Sequence, residues 1–477
     1  MEKKIINSRK IDFAKNTLIL FFGKFATQFM SLILLPLYTR FLITEEYGMI
    51  DLYQTYITLF VPILTLRVDS AIFRFLIDKR NNQSEKENII TNISFISIIG
   101  ILITLSISVV LLFLMKIKYF NCVILNLLIL MISNIMLQLF RGLGKNLQYS
   151  IASIITGFTT LILNIIMIVW LKLGAESILI SSSIANIICI LYSIVATKYF
   201  SYINLKKINK KTLKEIIKYS LPMIPNSLSW WIVNVSDRTI ISLFLGTAFN
   251  GIYSISCKFS NILNSIFSIF TMSWQESATL HINDKDKEEF FSDMINKILM
   301  LFSTLALLIL SNLPFVYDFI IGIDYISSYN YIPIILYANT WNVLIGLIGG
   351  IYVAKKRTKD IANTTILSAF INIIINFSLV KYIGLYAACI STLIAYFIMG
   401  IYRYFDCKKY VNIKLNIKNL VTYSLIFIFS TSIYLTKNII LNSINLIIVI
   451  IYSYFINKEL INSTLKILMS KMKHKLK

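Results

Sequence analysis

The sequence predicts an all-α integral membrane protein of about fourteen transmembrane helices, set out as two six-helix lobes in pseudo-two-fold repeat around a central cavity, plus two extra C-terminal helices. Three observations predict it. The apolar residues come in long blocks, the basic residues fall mostly on one side of those blocks, and two short motifs recur at nearly the same offset in corresponding places.

The blocks come first. Hydrophobic residues make up 57% of the 477 and charged residues only 14%, with a mean hydropathy of +0.74. About 20 consecutive apolar residues cross the hydrocarbon core, and such stretches recur from Asn16 to Phe455. They give spans at 16–38, 50–66, 89–115, 121–140, 150–171, 177–199, 219–245, 250–273, 291–321, 331–354, 360–380, 385–405, 419–436 and 438–456. The first is too long for a signal h-region and no A-x-A-like site follows it, so it reads as a retained helix. Five cysteines lie far apart without C-x-x-C spacing and read as small core residues.

A net charge of +23 invites a nucleic-acid reading until the cations are placed. With the N-terminus inside, 37 of the 46 Lys and Arg residues fall on the inner side. Six fall outside (Arg40, Lys116, Lys118, Lys172, Lys381 and Lys437) and three lie deep within spans (Lys24, Arg238 and Lys258), cations toward the inner end of a span being counted inside. This is the positive-inside pattern of a multi-pass protein with both termini in the cytoplasm. Its counter-charge is the anionic headgroups of membrane lipids, not nucleic acid. The longest inner connectors, 67–88, 200–218 and 274–290, read as short amphipathic or polar pieces, and 283–293 as a solvated helix start.

Sliding the chain by 203 residues lays Phe41-Leu42-x-Thr44-x3-Gly48 on Phe244-Leu245-x-Thr247-x3-Gly251, each at the joint between the first and second helix of its half. Sliding by 210 lays 172–187 on 381–398, with Gly174 on Gly384, each copy just before a sixth helix. The organisation expected is therefore an N-terminal lobe at 1–199, a cytoplasmic linker at 200–218, a C-terminal lobe at 219–405, helices thirteen and fourteen at 419–456, and a basic tail at 457–477.

Three stretches carry a family resemblance. LPLYTRFLITEEYGMIDLYQ (35–54) resembles the Pro…R-x-L-x4-Y-G signature of Wzx-type oligosaccharide-lipid flippases, polysaccharide exporters of the multidrug/oligosaccharidyl-lipid/polysaccharide, MATE-like superfamily. SDRTIISLFLGTAFNGIYSISCKF (236–259) is similar to that family's D-R…G-x4-G-x-Y-S stretch, and KYIGLYAACISTLIAY (381–396) to its block before the twelfth helix. Tyr386 stands where the second glycine of that block is usual. RVDSAIFRF (67–75) keeps the family's ending through Ala71 and Arg74 but lacks the glycine common before the alanine. The resemblance implies a flippase that moves an undecaprenyl-pyrophosphate-linked glycan from the inner to the outer leaflet of the bacterial cytoplasmic membrane. It implies alternating access around a cationic cavity, O-antigen or similar surface polysaccharide assembly, and polysaccharide polymerase machinery as a downstream partner.

The charges inside spans fit such a task. A diphosphate and a glycan cannot cross hydrocarbon, and Arg and Lys are suited to hold a diphosphate. Arg238 and Lys258 are cavity candidates, with Asp237 as an electrostatic companion or coupling-ion site. Neighbouring residues on a helix point about 100° apart, so a partner for Arg238 has to come from another helix. Lys24 and Gln28 share one face of the first span, and Asn261 shares that of Lys258. Arg40, Asp51 and Arg74 lie near helix ends, where they either gate loading and release or anchor at the interface. Snorkelling to the headgroups is the alternative for Lys24 and Arg238. Asn134, Asn164, Asn372 and Asn376 read as interhelical hydrogen-bond formers.

The segment RGLGKN (141–146) lacks the first glycine and the Ser/Thr of a P-loop, so no nucleotide drives transport. An H+ or Na+ gradient, or consumption of the product outside, is the candidate drive, and no cofactor, metal site or catalytic group is expected. The alternatives are an ion-coupled multidrug or cation exporter of the same superfamily and, further off, a polyprenyl-sugar polymerase. An exporter of cations needs a mainly acidic cavity; a polymerase needs a large outer loop, and the outer loops here are short.

Overall fold

The computed structural model describes residues 27–462 except 28, 78, 115, 116 and 356. The proposed cavity residues Lys24 and Gln28, most of the first span and the basic tail lie outside them. All regular structure among the described residues is helical, and the helices group into two compact units.

The first unit is Met1–Ser242 with Gly246–Gly251. It holds α1 (Phe29–Phe41), α2 (Thr44–Leu64), α3 (Val68–Ile77), α4 (Gln83–Leu114), α5 (Phe120–Gly142), α6 (Asn146–Ile165), α7 (Glu176–Thr197), α8 (Lys210–Ser220) and nearly all of α9 (Met223–Phe244). The second unit is Leu243–Leu245 with Ile252–Lys477. It holds most of α10 (Thr247–His281), then α11 (Lys287–Ile320), α12 (Ile332–Ala354), α13 (Thr358–Ile383), α14 (Leu385–Cys407), α15 (Ile417–Leu435) and α16 (Ile439–Ile456). The lobe boundary expected at the 200–218 linker and this grouping do not coincide. Helix α9 joins the first unit because Trp231 and Arg238 bind it to α2.

Ten of the described helices are long and apolar enough to cross a membrane, against fourteen spans expected. Of the first expected span, only the later part lies among the described residues. At 21 and 35 residues α2 and α10 are long enough, yet neither is among the ten. Both carry polar residues through their middles: Asp51, Gln54, Thr55 and Thr58 on α2, and Ser254, Lys258, Asn261 and Asn264 on α10.

Local signals mark where helices start and turn. Glu45 and Glu46 sit in the first turn of α2, where the helix dipole favours anions. Glu46 also meets Lys118, in the α4–α5 connection, at 3.0 Å. Hydrogen bonding to Tyr119 and to Glu46 holds the Lys118 ammonium above its usual range. Pro62 closes α2, and Leu66 and Arg67, both with positive φ, turn the chain into α3. The connector 67–88 is therefore not simply polar. Val68, Ala71, Ile72 and Leu76 are at most 1% exposed and pack with Ile90 of α4 and Leu139 of α5. Between α13 and α14 only Gly384 fits, at φ 58° and ψ −134°. Tyr386, in the family's glycine position, sets its ring edge-on against Tyr331 at 4.8 Å.

Without water to expel from between them, membrane helices hold together through close packing and polar contacts. In the first unit Asn126 of α5 donates to Leu179 O and Ser183 of α7, and Ser133 donates to Asn186. In the second, Asn372 joins α13 to Ser391 and Thr392 of α14, as expected, while Asn164 donates to Thr160 O of its own helix. Of the five cysteines, Cys189, Cys389 and Cys407 are buried. Arg403, counted from the sequence among the inner-side charges, is only 3% exposed. It donates to Thr364 and Thr365 of α13 and to Ile345 O of α12, stitching three helices.

A close approach in the first unit involves the repeated motif. A Cβ on Gly48 would collide with the carbonyl oxygen of Thr247, and one on Gly251 with that of Thr44. The threonine and glycine of each copy thus lie against the glycine and threonine of the other. Since backbone is what each Cβ would strike, Gly48→Ala or Gly251→Ala forces the helices apart. Each should destabilise the protein by roughly 1–3 kcal/mol, the usual cost of overpacking. Thermal unfolding of the purified variants measures this.

Candidate functional site

Gly48, Asp51 and Thr55 recur at helical spacing, so one face of α2 carries a bare backbone, a carboxylate and a hydroxyl in succession. That face is inside the protein: Asp51 is 8% and Thr55 4% exposed. Its partners come from α9 and the first turn of α10. Trp231 and Arg238 are seven residues apart on α9 and so point the same way.

The Arg238 guanidinium lies with Nε 2.7 Å from Asp51 Oδ2. The two side chains are 17% and 10% exposed, which keeps the pair largely out of solvent. Asn250 Nδ2 donates to Gly48 O at 2.8 Å and lies 3.5 Å from the same Asp51 oxygen. One turn further along α2, Trp231 Nε1 donates to Thr55 O at 2.9 Å, and the Trp231 ring stacks on Tyr56 at 6.3 Å. The glycine contact, the Asn250 bonds, the ion pair and the tryptophan follow one another along α2 as a continuous seam.

Arg238 thus has a carboxylate beside it from another helix. The sequence required an acid from another helix and assigned Asp51 to gating or the interface; the structure sets Asp51 against Arg238. Asp237 is itself buried at 3% exposure on α9. Lys258 and Asn261 belong to the second unit. Lys258 is half-buried and Asn261 exposed, and Asn261 is joined through Asn264 to Asn342 of α12. Ser254, grouped with them from the sequence, is fully buried instead. The buried serines Ser256 and Ser260 turn toward Ser328 O and Ile332 O, while Asn339 of α12 donates to Ser260 O. Arg40 is exposed just beyond Thr39, near the end of α1. Arg74 is exposed in the last turn of α3, where the dipole favours a cation.

Two partners escaped the sequence reading, Trp231 and Asn250. Both carry a signal: Asn250 immediately precedes the repeated Gly251, and Trp231 is seven residues before Arg238. Chemically, the seam offers a guanidinium whose present ligand is a carboxylate. A phosphate oxygen is a ligand of the same kind.

Residues 13–274, over half of the chain, match the family model described as polysaccharide biosynthesis protein. No curated protein matches the sequence. Among solved structures, the lipid II flippase MurJ in an inward closed conformation aligns with TM-score 0.68 at 17% identity, covering 93% of this chain and 100% of that one. A multidrug resistance MATE transporter of the MOP superfamily, inward-facing, aligns with TM-score 0.62 at 14% identity, over 83% and 94% of the two chains. A MATE in complex with MaL6 gives 0.61 at 13%, over 83% and 95%. At these identities the likeness is one of fold.

Neutralising one member of a buried ion pair costs about 3–5 kcal/mol, because the other charge is left unmatched. Asp51→Asn and Arg238→Gln should each lower stability by about that much, and the double variant should lose less than the two together. A double-mutant cycle on thermal unfolding is expected to return a coupling above about 1 kcal/mol; additive losses would mean that the pair does not hold α2 to α9.

Proposed function

Because the chain belongs to the polysaccharide biosynthesis protein family, we propose that it is a flippase. Its cargo is an undecaprenyl-pyrophosphate-linked oligosaccharide, moved from the inner to the outer leaflet of the cytoplasmic membrane by alternating access and passed to polysaccharide assembly. Both termini face the cytoplasm, in keeping with the distribution of lysine and arginine.

The observation that carries this reading is the Asp51–Arg238 pair, a cation kept inside a membrane protein by an exchangeable carboxylate. A diphosphate offers Arg238 a competing anion. When it replaces Asp51, the strap between α2 and α9 is released, so cargo binding and helix separation become one event. Lys258, with Asn261 and Asn264 along α10, supplies a second cation and amides for sugar hydroxyls. Arg40 and Arg74 act at release and loading. Asp51 and Asp237 are the acids a coupling H+ or Na+ would occupy.

The exporter reading is favoured by the MATE likeness. The flippase reading draws more on the MurJ likeness, which takes in 93% of this chain against 83% for MATE.

Translocation of a polyprenyl-pyrophosphate oligosaccharide in proteoliposomes tests the proposal. Wild type should move it, while Arg238→Ala and Lys258→Ala should each slow it about tenfold or more, the scale of one charge-assisted hydrogen bond. Because Arg238→Ala also strands Asp51, the variant Arg238→Gln with Asp51→Asn is measured beside it. Wild type that moves a lipophilic cation but not the lipid-linked glycan would overturn the flippase in favour of the exporter.

A further inference from the structure

Helix α8 is one of two pieces of the first unit that read from the sequence as connectors. Its sequence KKTLKEIIKYS turns Thr212, Ile216 and Ser220 inward and leaves Lys210, Lys211, Lys214 and Lys218 exposed. Such a helix lies along an anionic membrane surface. It is fixed to α4 by side chains rather than by depth in the bilayer. Asn92 donates to Lys207 O and accepts from the Asn209 amide, and Asn88 donates to Thr212 Oγ1. From the other side Phe75 of α3 sets its ring edge-on to Tyr219 at 5.7 Å.

The three helices do not close on one another. Between them lies a cavity of about 610 Å³, within the range of small-molecule sites. Three cations line it, Arg74, Lys79 and Lys211, together with the carboxylates Glu85 and Glu215 and the ring of Tyr219. One turn away, Glu87 pairs with Lys207 at 2.8 Å. Lys79, Lys211, Glu85 and Glu215 make no such pair among the described residues, although both signs share one cavity. Charges of opposite sign held apart around a space suit a ligand that addresses both.

A bare phosphate satisfies the cations but meets two carboxylates. A sugar phosphate satisfies all of it: phosphate oxygens accept from Arg and Lys, hydroxyls donate to the carboxylates, and a pyranose face rests on an aromatic ring. We infer that the cavity between α3, α4 and α8 is a binding site for a lipid-borne sugar phosphate at the inner leaflet. There the headgroup of the cargo docks before it reaches the Asp51–Arg238 seam. This rests on the flippase reading for the identity of the cargo and for the inner location of α8, but not for the existence of the site.

Binding, rather than transport, tests it. Purified protein in phosphatidylcholine nanodiscs is titrated with three probes: a polyprenyl diphosphate bearing one N-acetylhexosamine, the same diphosphate without sugar, and phosphatidylglycerol. Lys79→Gln with Lys211→Gln should weaken the glycosylated probe by about tenfold or more, as expected for charge-assisted bonds. Glu85→Gln with Glu215→Gln should weaken the glycosylated probe and spare the sugar-free one. All four residues are exposed, so the melting temperature serves as the check that the fold is kept. Affinity for the glycosylated probe unchanged in both variants, or no binding by wild type, overturns the site. Loss confined to phosphatidylglycerol overturns the sugar-phosphate assignment in favour of a phospholipid headgroup. Variant-sensitive binding in a protein that fails to translocate would leave the site standing and remove the flippase, whereas translocation with insensitive binding would do the reverse.

Discussion

Two charges of opposite sign can sit within apolar helices only if something brings them within contact distance and keeps water largely away. Here that is the approach of α2 to α9 and α10, with Asp51 and Arg238 2.7 Å apart. The approach is made possible by Gly48 and Gly251, where a single added carbon would strike backbone. Once the backbones meet, Asn250 reaches Gly48 O and Trp231 reaches Thr55 O. The grouping of α9 with the first unit follows from this one seam.

The same economy runs through the rest of the chain. Lipid tails are as apolar as leucine, so burial against another helix offers little that lipid does not. Specific pairing falls to small and polar residues instead. Serines and asparagines join α5 to α7, α10 to α12 and α13 to α14. Arg403 performs the same task with a charge, its donors directed at hydroxyls and carbonyls of α12 and α13. Glycines on α12 add a second device: Gly346 and Gly350 leave room for Phe267 and Trp274 of α10, and Trp274 donates to Leu347 O in that space.

The membrane class was legible because apolar blocks and the side-to-side distribution of cations are properties of composition and spacing, which need no knowledge of contacts. The charge at Arg238 was legible as an anomaly for the same reason, and Asp51 as a residue near a helix end. That they meet was not, because the pairing depends on how α2 and α9 face each other across 186 intervening positions. Helix α3 was hidden by length: a ten-residue helix leaves too short a periodic trace beside the polar residues 78–88. Arg403 was hidden by position, since an arginine near the end of an apolar block looks the same whether it points to water or inward. The serines of α10 were visible as a stripe, but which serine lay on which side depended on the packing against α12.

The contact between the two copies of F-L-x-T-x3-G bears on how the chain's halves have been free to drift. At this point the room for one glycine is bounded by the carbonyl of the other copy's threonine, reciprocally. A bulkier residue in either copy is felt by both. The two copies of the motif are therefore tied to a shared vocabulary of small residues, and a change in one constrains the other where they touch.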